Sequence, residues 1–139
     1  MERFNSRYCF VCGKENKGGF GLTFYKKGNH VETTVKVPQK FNGYKNIVHG
    51  GIVSTLLDEV INWAAYALSK ERKYCVTAEM TVRFEKPIPV EKELLLWGEV
   101  VKDNKRMRIC SGKILIEGEV FATGTGKLIP IKDASTIKE

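Results

Sequence analysis

The stretch that decides the fold is HGGIVSTLLDEVINWAAYALS, residues 49–69. Apolar side chains recur along it at helical spacing, and a second apolar row lies beside the first. The two rows comprise Ile52, Leu56, Val60, Trp63 and Ala67, and Val53, Leu57, Ile61, Ala64 and Leu68. A helix with so wide an apolar surface cannot lie on one face of a sheet with its back in water. We therefore expect the strands, or a second copy of the chain, to wrap this helix.

The segments on both sides of this helix have the patterns of β-strands. Residues 21–37 contain two alternating stretches around Lys27-Gly28-Asn29, which predicts an antiparallel hairpin. A regular strand is predicted over 76–84, and further strands over 93–102, 106–117 and 119–131. Short connections between them favour antiparallel pairing. The patterns predict an α+β fold in which a long central helix is wrapped by an antiparallel sheet of five or six strands. We expect one domain over residues 1–139.

Composition restricts the classes of partner. The net charge of +7 suits an anionic ligand, either a nucleic acid or a phosphorylated small molecule. No basic run is longer than Lys26-Lys27, and no basic motif interleaved with aromatic residues is present, so the small anion is favoured over nucleic acid. The sequence has no apolar run near 18 residues and no signal peptide, which predicts a cytoplasmic protein without a membrane partner.

The first twenty residues contain half of a zinc site. Cys9-Phe10-Val11-Cys12 is followed by glycine, as in a zinc knuckle, but a structural zinc needs four ligands. Neither Cys75 nor Cys110 has a neighbour at the required spacing, although His30 could join the pair. We therefore predict a reduced loop over residues 1–20, with no metal and no cofactor. The alternative is a cysteine-knuckle protein that binds nucleic acid.

Two acids, Asp58 and Glu59, are the only charged residues of the helix before Lys70. A buried carboxylate acquires a raised pKa, which suits acid or base chemistry. Glu59 is expected to face solvent, whereas Asp58 lies two turns after the helix start and looks back toward it. The unpaired N–H groups after Gly50-Gly51 could hold a developing oxyanion, and a nearby carboxylate could activate water or attack directly. The polar positions of the helix fall on one stripe: Ser54, Asp58, Asn62 and Ser69.

At these residues the chain resembles the hotdog-fold acyl-CoA thioesterases of the phenylacetyl-CoA type. The resemblance spans nearly the whole chain. It rests on Phe41-Asn42-Gly43, on Val48-His49-Gly50-Gly51 with Asp58 nine positions after His49, and on the segment TAEMTVRF at 77–84 running into Lys86-Pro87. It implies a hotdog fold, acyl-CoA as the substrate, and a homodimer or dimer of dimers with active sites at the subunit interface.

The resemblance also implies a role for each matching residue. Asp58 corresponds to the catalytic carboxylate, Gly51 to the backbone oxyanion donor, and His49 to the residue that shapes the carbonyl site. Thr77 corresponds to a threonine that helps to place the water. Strand alternation puts Thr77 on the polar face, so it reaches Asp58 only if a partner subunit covers that face or the start of the strand is distorted. Substrate contacts are expected from Gly50, from Asn42 or Asn46, and from Lys86, Lys105 and Arg106 at the CoA phosphates.

Two functions are compatible with this pattern. The first is hydrolysis of an acyl-CoA thioester to the free acid and CoA, and the intact acid at Asp58 favours it. The alternative is a hotdog module that binds acyl-CoA without turnover. A hotdog dehydratase is disfavoured because the helix does not begin with the His-Phe-Pro-Gly pattern of that group.

Overall fold

The computed structural model describes residues 1–132, so the last part of the expected domain, residues 133–139, lies outside the described residues. The elements run in the order β1 (Arg3–Phe4), β2 (Phe24–Lys27), β3 (His30–Lys36), α1 (Gly50–Leu68), β4 (Cys75–Phe84), β5 (Glu93–Asp103), β6 (Arg108–Ile116) and β7 (Glu119–Pro130). A short 3-10 turn, Gln39–Phe41, precedes the helix.

All seven strands belong to one antiparallel sheet, in the order β1-β2-β3-β5-β6-β7-β4. The α+β class is confirmed: one long helix packs against an antiparallel sheet. The sheet has seven strands, one more than the upper value of the five or six predicted. The additional strand is β1, which belongs to the segment expected to be a loop and pairs with β2. The hairpin of β2 and β3 turns at Gly28, whose φ of +60° is a conformation that glycine adopts without strain. Within residues 1–132, no helix has the length and apolarity needed to cross a membrane.

The helix approaches the sheet most closely over a row of glycines. Gly98 in β5 is opposite Gly112 in β6, which in turn is opposite Gly124 in β7. A Cβ on Gly98 would lie only 2.8 Å from the carbonyl oxygen of Val60 in the helix. A Cβ on Gly112 would lie 2.9 Å from the side chain of Ile61. Side chains at these positions would push the helix away from the sheet.

Substitution of Gly98 by alanine should therefore destabilise the fold. The added methyl group meets a helix carbonyl that cannot move alone, and overpacking of this kind costs about 1–3 kcal/mol in the free energy of unfolding. Urea denaturation measures the loss. The matched control is Gly18→Ala, whose new Cβ meets only Asn16 Oδ1 at 3.9 Å. Equal losses in the two variants would contradict the packing argument.

A β-bulge interrupts the edge strand β4. Thr77 is opposite Leu128 and Glu79 is opposite Lys127, so Ala78 is the extra residue. A bulge shifts the alternation of side chains by one position. The regular alternation predicted over 76–84 is therefore wrong before the bulge: Val76 is 52% exposed, and Thr77 is on the half-buried side.

Arg108 connects the C-terminal end of the helix to the sheet. Its side chain is 1% exposed. The guanidinium donates hydrogen bonds to the carbonyl oxygens of Ala65, Glu71 and Lys73, and its Nε lies 3.4 Å from Asp103 Oδ1. Ala65 is within the last turn of α1, where carbonyls lack partners inside the helix. One buried cation thus supplies donors to the helix end and to the loop that follows it.

Candidate active site

Asp58 is held by two side chains, one from its own helix and one from the edge strand. The Thr77 hydroxyl donates to Asp58 Oδ1 at 2.6 Å, and Asn62 Nδ2 donates to the same oxygen at 3.1 Å. Asn62 Nδ2 also donates to Thr77 Oγ1 at 2.9 Å, so the threonine hydroxyl accepts from one neighbour and donates to the other. Among residues 1–132, no hydrogen bond to the second oxygen, Oδ2, is found. That oxygen is available to water or substrate.

The bulge at Ala78 makes this arrangement possible within one chain. With regular alternation Thr77 would face away from the helix; the extra residue turns it toward Asp58. Of the two routes considered for Thr77, distortion of the strand start is the one observed. Asn62 was not among the expected site residues. The sequence could have indicated Asn62, because it lies one helical turn after Asp58 on the polar stripe of the helix.

Asp58, Asn62 and Thr77 line a cavity of about 370 Å³, which we name the carboxylate cavity. Its walls come from the helix, from the start of β4 and from the N-terminal segment. Its polar and thiol groups belong to Ser6, Cys9, Cys12, Asp58, Glu59, Asn62, Tyr66, Tyr74, Cys75 and Thr77. A carboxylate oxygen without a protein partner therefore faces a space large enough for water and part of a ligand.

The start of the helix forms a second, separate cavity. His49 is the N-cap of α1, and its Nδ1 accepts a hydrogen bond from the Gly51 N–H at 2.8 Å. The N–H of Gly51, the expected oxyanion donor, is thus already engaged. The Gly50 N–H has no hydrogen-bond partner in the described part of the chain. His49, Gly50, Phe84 and Lys86 help to line a cavity of about 710 Å³, which we name the helix-start cavity.

The two cavities cannot serve one carbonyl group within a single chain. Asp58 is eight positions after Gly50, which corresponds to about 12 Å along the helix axis. A reacting carbonyl must lie about 3 Å from both the nucleophile and the oxyanion donors. The expectation that Asp58 looks back toward its own helix start is wrong, because its side chain points to Thr77.

The two candidate asparagines have different surroundings. The side-chain oxygen of Asn42 is buried without a hydrogen-bond partner among the described residues, near the same helix start as His49. Asn46 is exposed and has a φ of +65°, and its Oδ1 accepts from Gln39 at 3.5 Å. Asn46 therefore shapes the turn before the helix, whereas Asn42 has an unused acceptor.

The three candidate phosphate-binding residues lie at opposite ends of the molecule. Lys86 lines the helix-start cavity and pairs with Glu119. Lys105 and Arg106 are exposed in the turn between β5 and β6. This turn precedes Arg108, which contacts the C-terminal end of the helix. Within one chain, only Lys86 is close to Gly50.

Glu59 does not face solvent, contrary to the expectation from sequence. Its Oε1 lies 3.5 Å from the Sγ of Cys9 in the N-terminal segment. Burial raises the pKa of this carboxyl group to about 7. A hydrogen bond with Cys12 lowers the pKa of Cys9 to about 5 and raises that of Cys12. The acid expected to be solvated thus forms a polar cluster with both cysteines of the Cys-x-x-Cys pair.

Comparison with known proteins gives a family match and several similar structures. The family model described as the thioesterase superfamily matches residues 45–124. One solved thioesterase superfamily protein is 26% identical, with a TM-score of 0.79 over 88% of this chain and 63% of that chain. The chain therefore spans less than two thirds of the length of that relative. No curated protein sequence matches the chain.

Two further structures have the same fold at lower identity. A hypothetical thioesterase from Streptococcus pneumoniae, solved with coenzyme A, is 22% identical, with a TM-score of 0.69 over 77% of this chain and 86% of that chain. A phenylacetic acid degradation-related protein from Ralstonia eutropha is 18% identical, with a TM-score of 0.71 over 79% of this chain and 85% of that chain. These similarities confirm the hotdog fold.

Proposed function

The chain belongs to the thioesterase superfamily, and from this premise we propose that it hydrolyses acyl-CoA thioesters to a free acid and CoA. One observation carries the proposal: Asp58 is oriented by Thr77 and Asn62 and presents a free oxygen to an open cavity. A similar structure was solved with coenzyme A, which supports CoA as part of the ligand.

Asp58 has two possible roles in the reaction. As a general base, its Oδ2 takes a proton from water, and the resulting hydroxide adds to the thioester carbon. The tetrahedral intermediate then breaks its C–S bond, and the departing thiolate takes up a proton to give CoA. As a nucleophile, the carboxylate adds to the same carbon and the C–S bond breaks, so that CoA leaves as the thiolate. Water then hydrolyses the mixed anhydride to the free acid and the Asp58 carboxylate, and the proton that this releases goes to the thiolate. In both roles Thr77 and Asn62 hold the carboxylate in one orientation.

We propose that the oxyanion donors come from a second copy of the chain; the separation of the two cavities supports this. Strand β4 is the last strand of the sheet, and within residues 1–132 its only partner is β7. Phe84, at the end of this strand, is 56% exposed. Antiparallel pairing of two β4 strands about a twofold axis between Met80 and Thr81 would place Thr77 of one copy beside Phe84 of the other. The Phe84 ring lies next to Gly50. The partner's Gly50 would thus approach Asp58, and we propose a homodimer or a dimer of dimers built on this pairing.

In this arrangement the partner subunit supplies the carbonyl site. The partner's Gly50 donates its free N–H to the oxyanion in place of Gly51, and the partner's His49 orients the carbonyl. Asn42, with its unused acceptor near His49, is the better candidate for a substrate contact. The two helices would run antiparallel, so Lys105 and Arg106 at the far end of one copy would face the helix start of the other. They and Lys86 remain our candidates for the CoA phosphates.

A panel of acyl-CoAs assayed by release of free thiol tests the proposed activity. We expect turnover with at least one member of the panel, together with the matching free acid. The non-catalytic alternative predicts that acyl-CoA binds, as measured by calorimetry, without any release of thiol. Binding without release across the panel would therefore replace the proposed function with that alternative.

The shared site makes a separate prediction. Asp58→Asn and Gly50→Pro, which removes the amide hydrogen, should each be inactive alone. Co-expression of the two variants should restore about a quarter of wild-type activity, because half of the randomly formed dimers contain one intact site out of two. The assay is thiol release per total protein. In the matched control, a chain that carries both substitutions is co-expressed with the Asp58→Asn variant. Every chain in this mixture lacks Asp58, so no intact site can form. Absence of recovery in the first mixture, despite mixed dimers shown by mass spectrometry, would refute the shared site.

A further inference from the structure

Three metal-ligand atoms meet where the N-terminal segment crosses the helix, and the proposed hydrolysis uses none of them. The Sγ atoms of Cys9 and Cys12 and a carboxylate oxygen of Glu59 all lie within 4.8 Å of one another. We propose that these residues bind one Zn²⁺ ion through two thiolates and one carboxylate, with water from the carboxylate cavity as the fourth ligand. The proposal does not rest on the proposed activity.

The spacing of the atoms fits a tetrahedral site. With zinc–sulfur bonds of about 2.3 Å, the ligand atoms of a tetrahedron lie about 3.8 Å apart. The Cys9 Sγ and Glu59 Oε1 are already 3.5 Å apart, and the longest separation in the cluster is within 4.8 Å. A side-chain shift of about 1 Å closes the remaining difference. All three residues border the carboxylate cavity, which gives the ion a path of entry.

The turn that carries the cysteines is already shaped for coordination. The Gly13 N–H donates to the Cys9 carbonyl at 2.7 Å, and the Val11 N–H donates to the Cys9 Sγ at 3.3 Å. A Cβ on Gly13 would lie 2.3 Å from the Cys9 carbonyl oxygen, so this tight turn requires glycine. An N–H directed at sulfur stabilises the thiolate, which is the form that binds metal.

The donor set selects the class of metal. Zn²⁺ accepts thiolate and carboxylate ligands in one tetrahedral site, whereas Mg²⁺ and Ca²⁺ require oxygen ligands. Once deprotonated, the three ligands carry three negative charges, which the two positive charges of Zn²⁺ offset in large part; isolated buried charges are costly. The ion would fasten the N-terminal segment to α1.

The sequence-based prediction of no metal depended on where the third ligand was sought. His30 was the candidate partner, but its Nε2 lies 2.9 Å from Glu32 and its ring stacks on Trp97. The third ligand comes instead from the helix, 50 positions after Cys9 in the sequence. No spacing rule for paired cysteines includes a single distant glutamate.

Metal titration of the full chain tests the site. The protein is reduced, stripped with a chelator and titrated with Zn²⁺, and in parallel with Co²⁺, whose thiolate charge-transfer absorption reports sulfur ligation. We expect one equivalent per chain, that absorption, and a rise in Tm, because an ion that binds only the folded state stabilises it. Binding well below one equivalent, or Co²⁺ binding without the thiolate absorption, would overturn the proposal.

Variants assign the ligands. Cys12→Ser and Glu59→Gln should each weaken Zn²⁺ affinity by at least about tenfold. Cys75→Ser, which removes a thiol outside the cluster, should bind with the affinity of the unmodified chain. Glu59→Gln keeps both thiols, so it gives a result even if Cys12→Ser does not fold. Unchanged affinity in Glu59→Gln, or an equal loss in Cys75→Ser, would refute the assignment.

Discussion

Replacement of Asp58 by asparagine is expected to lower kcat for acyl-CoA hydrolysis about 100-fold or more, because an amide neither takes a proton from water nor attacks a carbonyl. The fold should persist, since the amide oxygen of asparagine can still accept the Thr77 hydroxyl. Steady-state assays of thiol release measure kcat, and calorimetry with CoA measures binding, which should change little. An unchanged kcat in a folded Asp58→Asn protein would contradict the assignment.

Substitutions at two further positions separate the chemistry of Asp58 from general effects of mutation. Thr77→Val removes the hydroxyl that orients the carboxylate, so it should lower kcat, whereas Thr77→Ser keeps the hydroxyl and should retain most of it. Glu93→Gln neutralises an exposed acid on β5 and should leave kcat unchanged. If Thr77→Ser loses as much activity as Thr77→Val, the hydrogen bond to Asp58 is not the reason that Thr77 matters.

Replacement of Arg108 by leucine is expected to cost about 3–5 kcal/mol in the free energy of unfolding, the range for removing one partner of a buried ionic group. Leucine fills much of the space but offers no donors, so the carbonyls of Ala65, Glu71 and Lys73 lose their hydrogen bonds. Urea denaturation followed by circular dichroism measures the change.

Two other substitutions, Arg106→Leu and Arg108→Lys, serve as controls for Arg108→Leu. Arg106→Leu removes the same charge at an exposed position and should change stability by no more than about 0.5 kcal/mol. Arg108→Lys keeps the charge but lacks the planar array of donors, so its loss should be intermediate. A similar cost in Arg106→Leu and Arg108→Leu would show that the buried hydrogen bonds of Arg108 contribute little.

The architecture could be predicted from sequence because it depends on long periodic segments. The helix and six of the seven strands have enough residues for apolar side chains to reveal a repeat of 3.6 or 2. Strand β1 has two residues, Arg3 and Phe4, and a segment that short has no period. Its pairing depends on contact with β2, about twenty positions later, which local pattern does not report.

The candidate site was less predictable, because backbone irregularity and distant contacts decide it. Apolar and polar residues alternate without a break from Val76 to Phe84, yet pairing with β7 inserts Ala78 as an extra residue and turns Thr77 around. Glu59 was assigned to solvent because its partners belong to a segment whose path the sequence does not show. The choice between Gly50 and Gly51 as the free donor depends on one hydrogen bond, which the Gly51 N–H donates to the side chain of His49.

That hydrogen bond also determines which tautomer of His49 a substrate meets. A backbone N–H can only donate, so the Nδ1 that accepts from Gly51 carries no proton. In the neutral ring the proton is then on Nε2, and the ring presents a donor at its far edge. Such a histidine can hold a carbonyl oxygen, but it has no lone pair left to take a proton from water. In the proposed mechanism, the cap that starts the helix therefore excludes His49 as the base, and any removal of a proton from water is assigned to Asp58.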